Sequence, residues 1–100
     1  MSSHSREVVL SPRARQDFVD ILRYTGETWG ESQLLAYRDK LDKALRQLGR
    51  NPDLGHGSQF VPTTHRVYTV GSHVIIYRTD GQTVGVVRIL HQRMNPAGHL

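Results

Sequence analysis

The second half of the chain gathers residue types that could handle a phosphodiester. Arg66, His73, Tyr77, Arg78, Arg88, His91 and Arg93 fall within strand-like runs of valine and isoleucine or just beyond them. A metal-independent nuclease needs a base, an acid and cations to hold the phosphate, and Arg66, His73, Tyr77 and Arg88 supply those types. The same basic set could instead grip an acidic segment of another protein. Charge sharpens the choice only partly: residues 58–100 carry four arginines against the single Asp80, whereas residues 1–57 are nearly balanced, with nine Lys/Arg against eight Asp/Glu. A basic surface of this kind attracts RNA, DNA or an acidic polypeptide alike.

Other chemistries are excluded by composition and spacing. The chain has no cysteine, which removes disulfides and thiol chemistry. His65 and His91 fall on nonadjacent strands with no Asp or Glu close in sequence, so no metal centre is expected. Gly55-His56-Gly57 lacks the lysine and the following Ser/Thr of a phosphate loop, and no cofactor is expected. The start, MSSHSREVVL, has no apolar leader core, and no apolar run is long enough to span a membrane. The expected location is the cytoplasm, away from membranes.

The elements that must position these side chains follow from periodicity. Glu7 to Leu10 reads as a short strand, closed by Ser11-Pro12, a strong helix start because serine caps free N–H groups and proline at the first helical position loses nothing. Ala14, Phe18, Ile21, Leu22, Thr25 and Trp29 then recur at helical spacing, with Trp29 expected as a core anchor. Gly30 breaks the pattern. A second stripe runs through Leu34, Tyr37, Leu41, Ala44, Leu45 and Leu48 to Gly49 and Asn51-Pro52, so the two helices form an antiparallel hairpin, with Phe18, Ile21, Leu41 and Leu45 at its seam. Asp39 and Lys43 are spaced for an exposed ion pair.

After a loop from Pro52 to Thr64 the period becomes two. HRVYTV, HVIIYRT and TVGVVRILH are separated by Gly71-Ser72 and Asp80-Gly81, both hairpin signals, and predict an antiparallel meander. Two-residue loops would set Arg66 opposite Tyr77, Tyr77 opposite Val84 and His73 opposite Arg88. The face carrying Val67, Val74, Ile76, Val87 and Ile89 is the more aliphatic and is expected to cover the helices, with His65, Arg78 and His91 on the same side. The whole is one α+β domain over residues 1–100: an N-terminal strand and a helical hairpin packed on a small antiparallel sheet, in β-α-α-β-β-β order. Residues 1–6 and 96–100 are expected to be loosely held.

Taken together, LSPRARQDFVDILRYTGETWG, the NPDLG turn, and RVYTVGSHVIIYRTDG leading into VVRILHQRMN resemble the ParE toxins of the RelE/ParE superfamily. The resemblance spans about Val9 to Asn95. It implies the toxin of a type II toxin-antitoxin pair, of the kind that stabilises plasmids, held silent by a ParD-type antitoxin in a hetero-oligomeric complex and directed at DNA gyrase. Arg66, Arg78, Arg88, His91 and Arg93 are then the candidates for contact with target or antitoxin, with no catalytic residue. The superfamily's other branch, the RelE-like ribosome-dependent messenger-RNA nucleases, places an arginine three residues before the position of Tyr77, where this chain has Val74. Many of its members also carry a tyrosine or arginine just after the position of His91, where this chain has Gln92. The cleavage kit is therefore incomplete, and ribonuclease activity is the alternative expectation. A toxin-derived domain that only binds its partner is a third.

Overall fold

The computed structural model describes residues 5–100. Strand β1 (Glu7–Leu10) leads into helix α1 (Pro12–Trp29), followed by α2 (Glu31–Arg50) and a meander of β2 (Arg66–Val70), β3 (His73–Thr79) and β4 (Thr83–His91). The element order is the expected one. Ser11 caps α1 through its Oγ, which accepts the Ala14 N–H at 3.0 Å, and Pro12 occupies the first turn. The sheet order is β1-β4-β3-β2. The meander is antiparallel, but β1 runs parallel to β4, Glu7 pairing with Thr83 and Leu10 with Val86, so the sheet is mixed rather than wholly antiparallel.

Both helices lie on one face of this sheet, and the core forms there. Ala14, Leu41, Ala44, Leu45 and Leu48 meet Val70, Ile75, Tyr77, Val84, Val86 and Ile89, with Phe18 and Ile21 packed at the margin. Gly49 lets α2 close on the strand leading into β1: a Cβ there would come within 2.8 Å of the Arg6 carbonyl, and Arg6 N–H donates to Gly49 O at 2.8 Å.

The helix-facing side of the sheet is not the expected one. Val67, Val74, Ile76 and Val87 lie on the opposite face, where with Leu90 and Val61 they form a smaller apolar cluster. The first hairpin behaves as its spacing predicts, with Val70 opposite His73 and Arg66 opposite Tyr77 across a two-residue turn. The second does not. Thr79 pairs with Val84, so the loop holds four residues, built on the Asp80 carboxylate, which accepts the N–H groups of Gln82 and Thr83 and the Thr83 hydroxyl. Further along, Tyr77 pairs with Val86 but Ile76 with Arg88, which leaves Val87 as an extra residue in β4. His73 therefore faces His91, not Arg88, and beyond the bulge Ile89 and His91 turn toward the helices while Leu90 turns away.

Residues 1–4 of the expected N-terminal tail lie outside the described residues. Arg6 and the C-terminal stretch each hold specific bonds: Arg6 Nε donates to Gly81 O at 3.1 Å, and Pro96–Gly98 form one 3-10 turn ahead of His99, whose carbonyl is held from β4. The expected Asp39–Lys43 pair is replaced by its neighbours, Arg38 with Asp39 and Arg46 with Asp42, all solvent-exposed and worth little. Among the described residues no helix is long and apolar enough to cross a membrane.

Candidate protein-binding face

The bulge in β4 exposes backbone groups that α1 satisfies. Ser11 Oγ donates to Val87 O at 2.8 Å, and the Asp17 carboxylate accepts the Ile89 N–H at 3.0 Å. That carboxylate also takes Arg88 in a fork, with Nε at 2.8 Å and Nη2 at 2.9 Å, while Arg88 Nη1 donates to His99 O at 2.7 Å. Both side chains are only 14% exposed. Asp17 beside it makes the guanidinium hold its proton more firmly than usual. Arg88 is thus a strut joining α1, β4 and the C-terminal turn.

Arg66 is likewise built into the fold, Nε and Nη2 both donating to Gly55 O at 3.1 and 2.7 Å. Tyr77, fully buried at 0% exposure, donates its hydroxyl to Pro52 O at 2.6 Å and accepts the Gly55 N–H at 2.9 Å. Arg66 and Tyr77 pin the loop after α2 to the sheet. Arg78 is exposed near the other end of β3, where its charge, second to burial, holds the His65 imidazole below its ordinary value. Arg93 is exposed just past β4, its N–H donating to His91 Nδ1 at 3.1 Å. The five candidate residues therefore do not converge on one spot. Arg66 and Arg88 have internal partners, and Arg78, His91 and Arg93 are the ones with reach.

His91 belongs to a cluster that spacing did not reveal. Its ring meets His73 edge-on, centroids 5.4 Å apart, and His73 meets Tyr37 of α2 at 5.5 Å. The Tyr37 hydroxyl contacts His73 Nδ1, accepts the Ser72 N–H at 3.2 Å and lies 3.3 Å from Val70 O. Gly71, at φ 57°, sits over this hydroxyl, and a Cβ there would lie 2.8 Å from it. Burial raises the Tyr37 pKa, offset in part by the Ser72 N–H. Burial, then repulsion from His91, pushes His73 below the usual imidazole value, so both rings of the Tyr37–His73 contact are neutral at pH 7.

These residues form one wall of an open cleft of about 940 Å³ between α1, the start of α2 and the end of β4. Its rim is aromatic. Trp29, expected in the core, is 69% exposed, and Tyr24 is 66% exposed. Trp29 is the last residue of α1, so no element packs over its ring; helical spacing alone continued the apolar stripe one turn too far. On the other face of the sheet a shallower groove of about 360 Å³ runs along Val67, Val74, Ile76 and Leu90, flanked by the exposed Phe60 and by Arg93 and Met94. His91 and Met94 border both concavities. Large exposed aromatic and aliphatic side chains beside basic groups are the makings of a protein-binding face. No group of three or more His, Cys, Asp or Glu able to hold a metal occurs among the described residues.

The two-helix hairpin on a four-stranded mixed sheet in β-α-α-β-β-β order is the fold of the RelE/ParE-like toxins. A chain of the chromosomal ParDE toxin-antitoxin system from P. aeruginosa superposes with a TM-score of 0.75, covering 89% of this chain and 98% of that one at 18% identity. A chain of the RelBE2 toxin-antitoxin complex of Mycobacterium tuberculosis gives 0.64, covering 88% and 99% at 21% identity. In sequence, the Toxin ParE1 of Caulobacter vibrioides is 35% identical over 91 residues, 91% of this chain and 94% of the relative. The Toxin ParE1 of M. tuberculosis H37Rv is 35% identical over 92 residues, with the same two coverages. The family model described as "ParE toxin of type II toxin-antitoxin system, parDE" matches residues 8–96. The chain belongs to the ParE toxin family.

Proposed function

We propose that this chain is a cytoplasmic toxin that acts by binding DNA gyrase and is neutralised by a ParD-type antitoxin in a hetero-oligomeric complex, with no ribonuclease activity. The observation that carries binding over cleavage is the placement of the polar groups a nuclease would need. Tyr77 is buried under the Pro52–Gly55 loop, and Arg66 and Arg88 are held by Gly55 and Asp17. Val74, where the nuclease branch places an arginine, and Gln92, where many of its members carry a tyrosine or arginine, line the groove beside Ile76 and Leu90. An aliphatic side chain stabilises no developing negative charge, and losing one such donor typically costs ~10²–10³ in rate.

The antitoxin reading is supported by the family and by the surface itself: an acidic, apolar segment complements the exposed Arg78 and Arg93 and the aromatic cleft. The deciding experiment runs purified toxin in two assays. Gyrase supercoiling should be inhibited at stoichiometric amounts, and translating ribosomes should show no codon-dependent messenger cleavage. Multiple-turnover RNA cleavage that His91→Ala abolishes, with supercoiling untouched, would restore the nuclease reading.

A further inference from the structure

We propose that the Tyr37–His73–His91 stack is a proton-sensitive latch that seats the β2–β3 turn on α2, so that acidification loosens the wall of the aromatic cleft. The argument is one of donors and acceptors. Tyr37 has one hydroxyl proton, and with His73 in the neutral tautomer protonated at Nε2 that proton goes to Nδ1, which leaves the oxygen free to accept the Ser72 N–H. Protonated His73 makes Nδ1 a donor instead. The Tyr37 oxygen must then accept from both Nδ1–H and Ser72 N–H, while its own proton is left with Val70 O at 3.3 Å, a long bond. The tie between the turn and α2 through Tyr37 is weakened at the moment a charge is placed beside His91.

The surroundings offer that charge no compensation. From α1, Asp17 is engaged with Arg88 and Ile89, Asp20 bonds Gln16 and lies near Arg23, and Tyr24 is uncharged. From α2 the facing titratable group is Tyr37 itself. From β4 come Arg88 and His91, and just beyond it Arg93, none of which carries a negative charge. No histidine makes an ion pair with a carboxylate among the described residues. The second histidine matters for the same reason: its ring meets that of His73 edge-on at 5.4 Å and adds to the repulsion that opposes a charge on His73. Ser72 also accepts the Gln92 N–H at 2.9 Å, so a shift of the turn is passed to the strand end that carries His91 and Met94.

The test is an NMR titration of the full chain from about pH 8 to about pH 5, following the imidazole resonances and the Ser72 amide. His73 should titrate below the ordinary imidazole value of ~6.5, and the Ser72 amide should shift in step with it. Amide exchange at Ser72, corrected for the pH dependence of intrinsic exchange, should lose roughly tenfold protection across the same step. Tyr37→Phe should leave His73 titrating but uncouple the Ser72 amide from it, and His91→Asn should raise the His73 midpoint. An ordinary His73 midpoint with an unmoved Ser72 amide would overturn the latch. So would a Ser72 transition that persists in His73→Asn, since another group would then be its cause.

Discussion

Asp17→Ala removes three hydrogen bonds at once, two from Arg88 and one from the Ile89 N–H at the β4 bulge. The loss falls on groups that cannot recover in water, because the Arg88 side chain is 14% exposed and the N–H lies beneath α1. Hydrogen bonds to charged groups are worth about 1.5–3 kcal/mol each, but they are not additive, and breaking a buried pair by removing one partner costs about 3–5 kcal/mol. Arg88 keeps the His99 carbonyl and a little solvent contact, which places the expected cost near the lower end, about 3 kcal/mol. For a chain of this size that lowers the melting temperature by roughly 12–24 °C. The pair's net worth is a separate quantity: Asp17→Leu with Arg88→Met leaves no orphan charge and should recover much of the loss. Urea denaturation of the two single variants and the double variant measures both numbers. An Asp17→Ala variant within about 1 kcal/mol of wild type would refute the view of this pair as the strut at the bulge.

Three further outcomes are expected. Leu45→Ala, at the buried seam between α2 and the sheet, should cost about 2–5 kcal/mol, read by the same denaturation; a near-wild-type melt would place Leu45 outside the core. Arg78→Glu with Arg93→Glu, both exposed, should slow antitoxin association and flatten its salt dependence without changing the melt; an unchanged on-rate at low salt would remove those arginines from the interface. Stability should fall as pH drops from neutrality through the unfolded imidazole value of ~6.5, because folding depresses the His73 and His65 pKa values and the unfolded chain therefore binds more protons there. Thermal melts of wild type and His73→Phe across that range check the sign; a wild-type chain that gains stability on acidification would contradict it.

The helices were legible because their information is local. Ser11-Pro12, the apolar stripes and Gly30 fix the start, the buried face and the break, and all three appear where expected except that Trp29, at the end of the first stripe, is exposed. The first hairpin was legible for the same reason. The second was misread because its loop is held by the Asp80 side chain, and its register is then altered by Val87, an extra residue stabilised from α1, about seventy positions earlier. Period-two alternation carries no trace of such a bulge, and beyond it every side chain changes face. The side chains of the strand end changed company most: His91 parts from Val67, Val74 and Ile76 and meets His73, and Arg88 is held by Asp17. One signal was available: an aspartate between Ala14 and Ile21 on the apolar side of α1, and an arginine among the aliphatics of β4, each demand a partner, and each is the other's.

The parallel pairing of β1 with β4 has a kinetic consequence. Glu7 meets Thr83 across 76 positions, so the contact that completes the sheet is also among the most distant in the chain. Neighbouring contacts in the helical hairpin and the meander can form in microseconds, whereas this one must wait for both to close the intervening loop. Once the rest of the domain is assembled, that loop is already short in space, and the remaining closure is nearly free of entropy. Substitutions at Val8 or Leu10 should therefore leave the folding rate almost unchanged and act mainly by quickening unfolding, making this first strand a handle on the toxin's lifetime rather than on its birth.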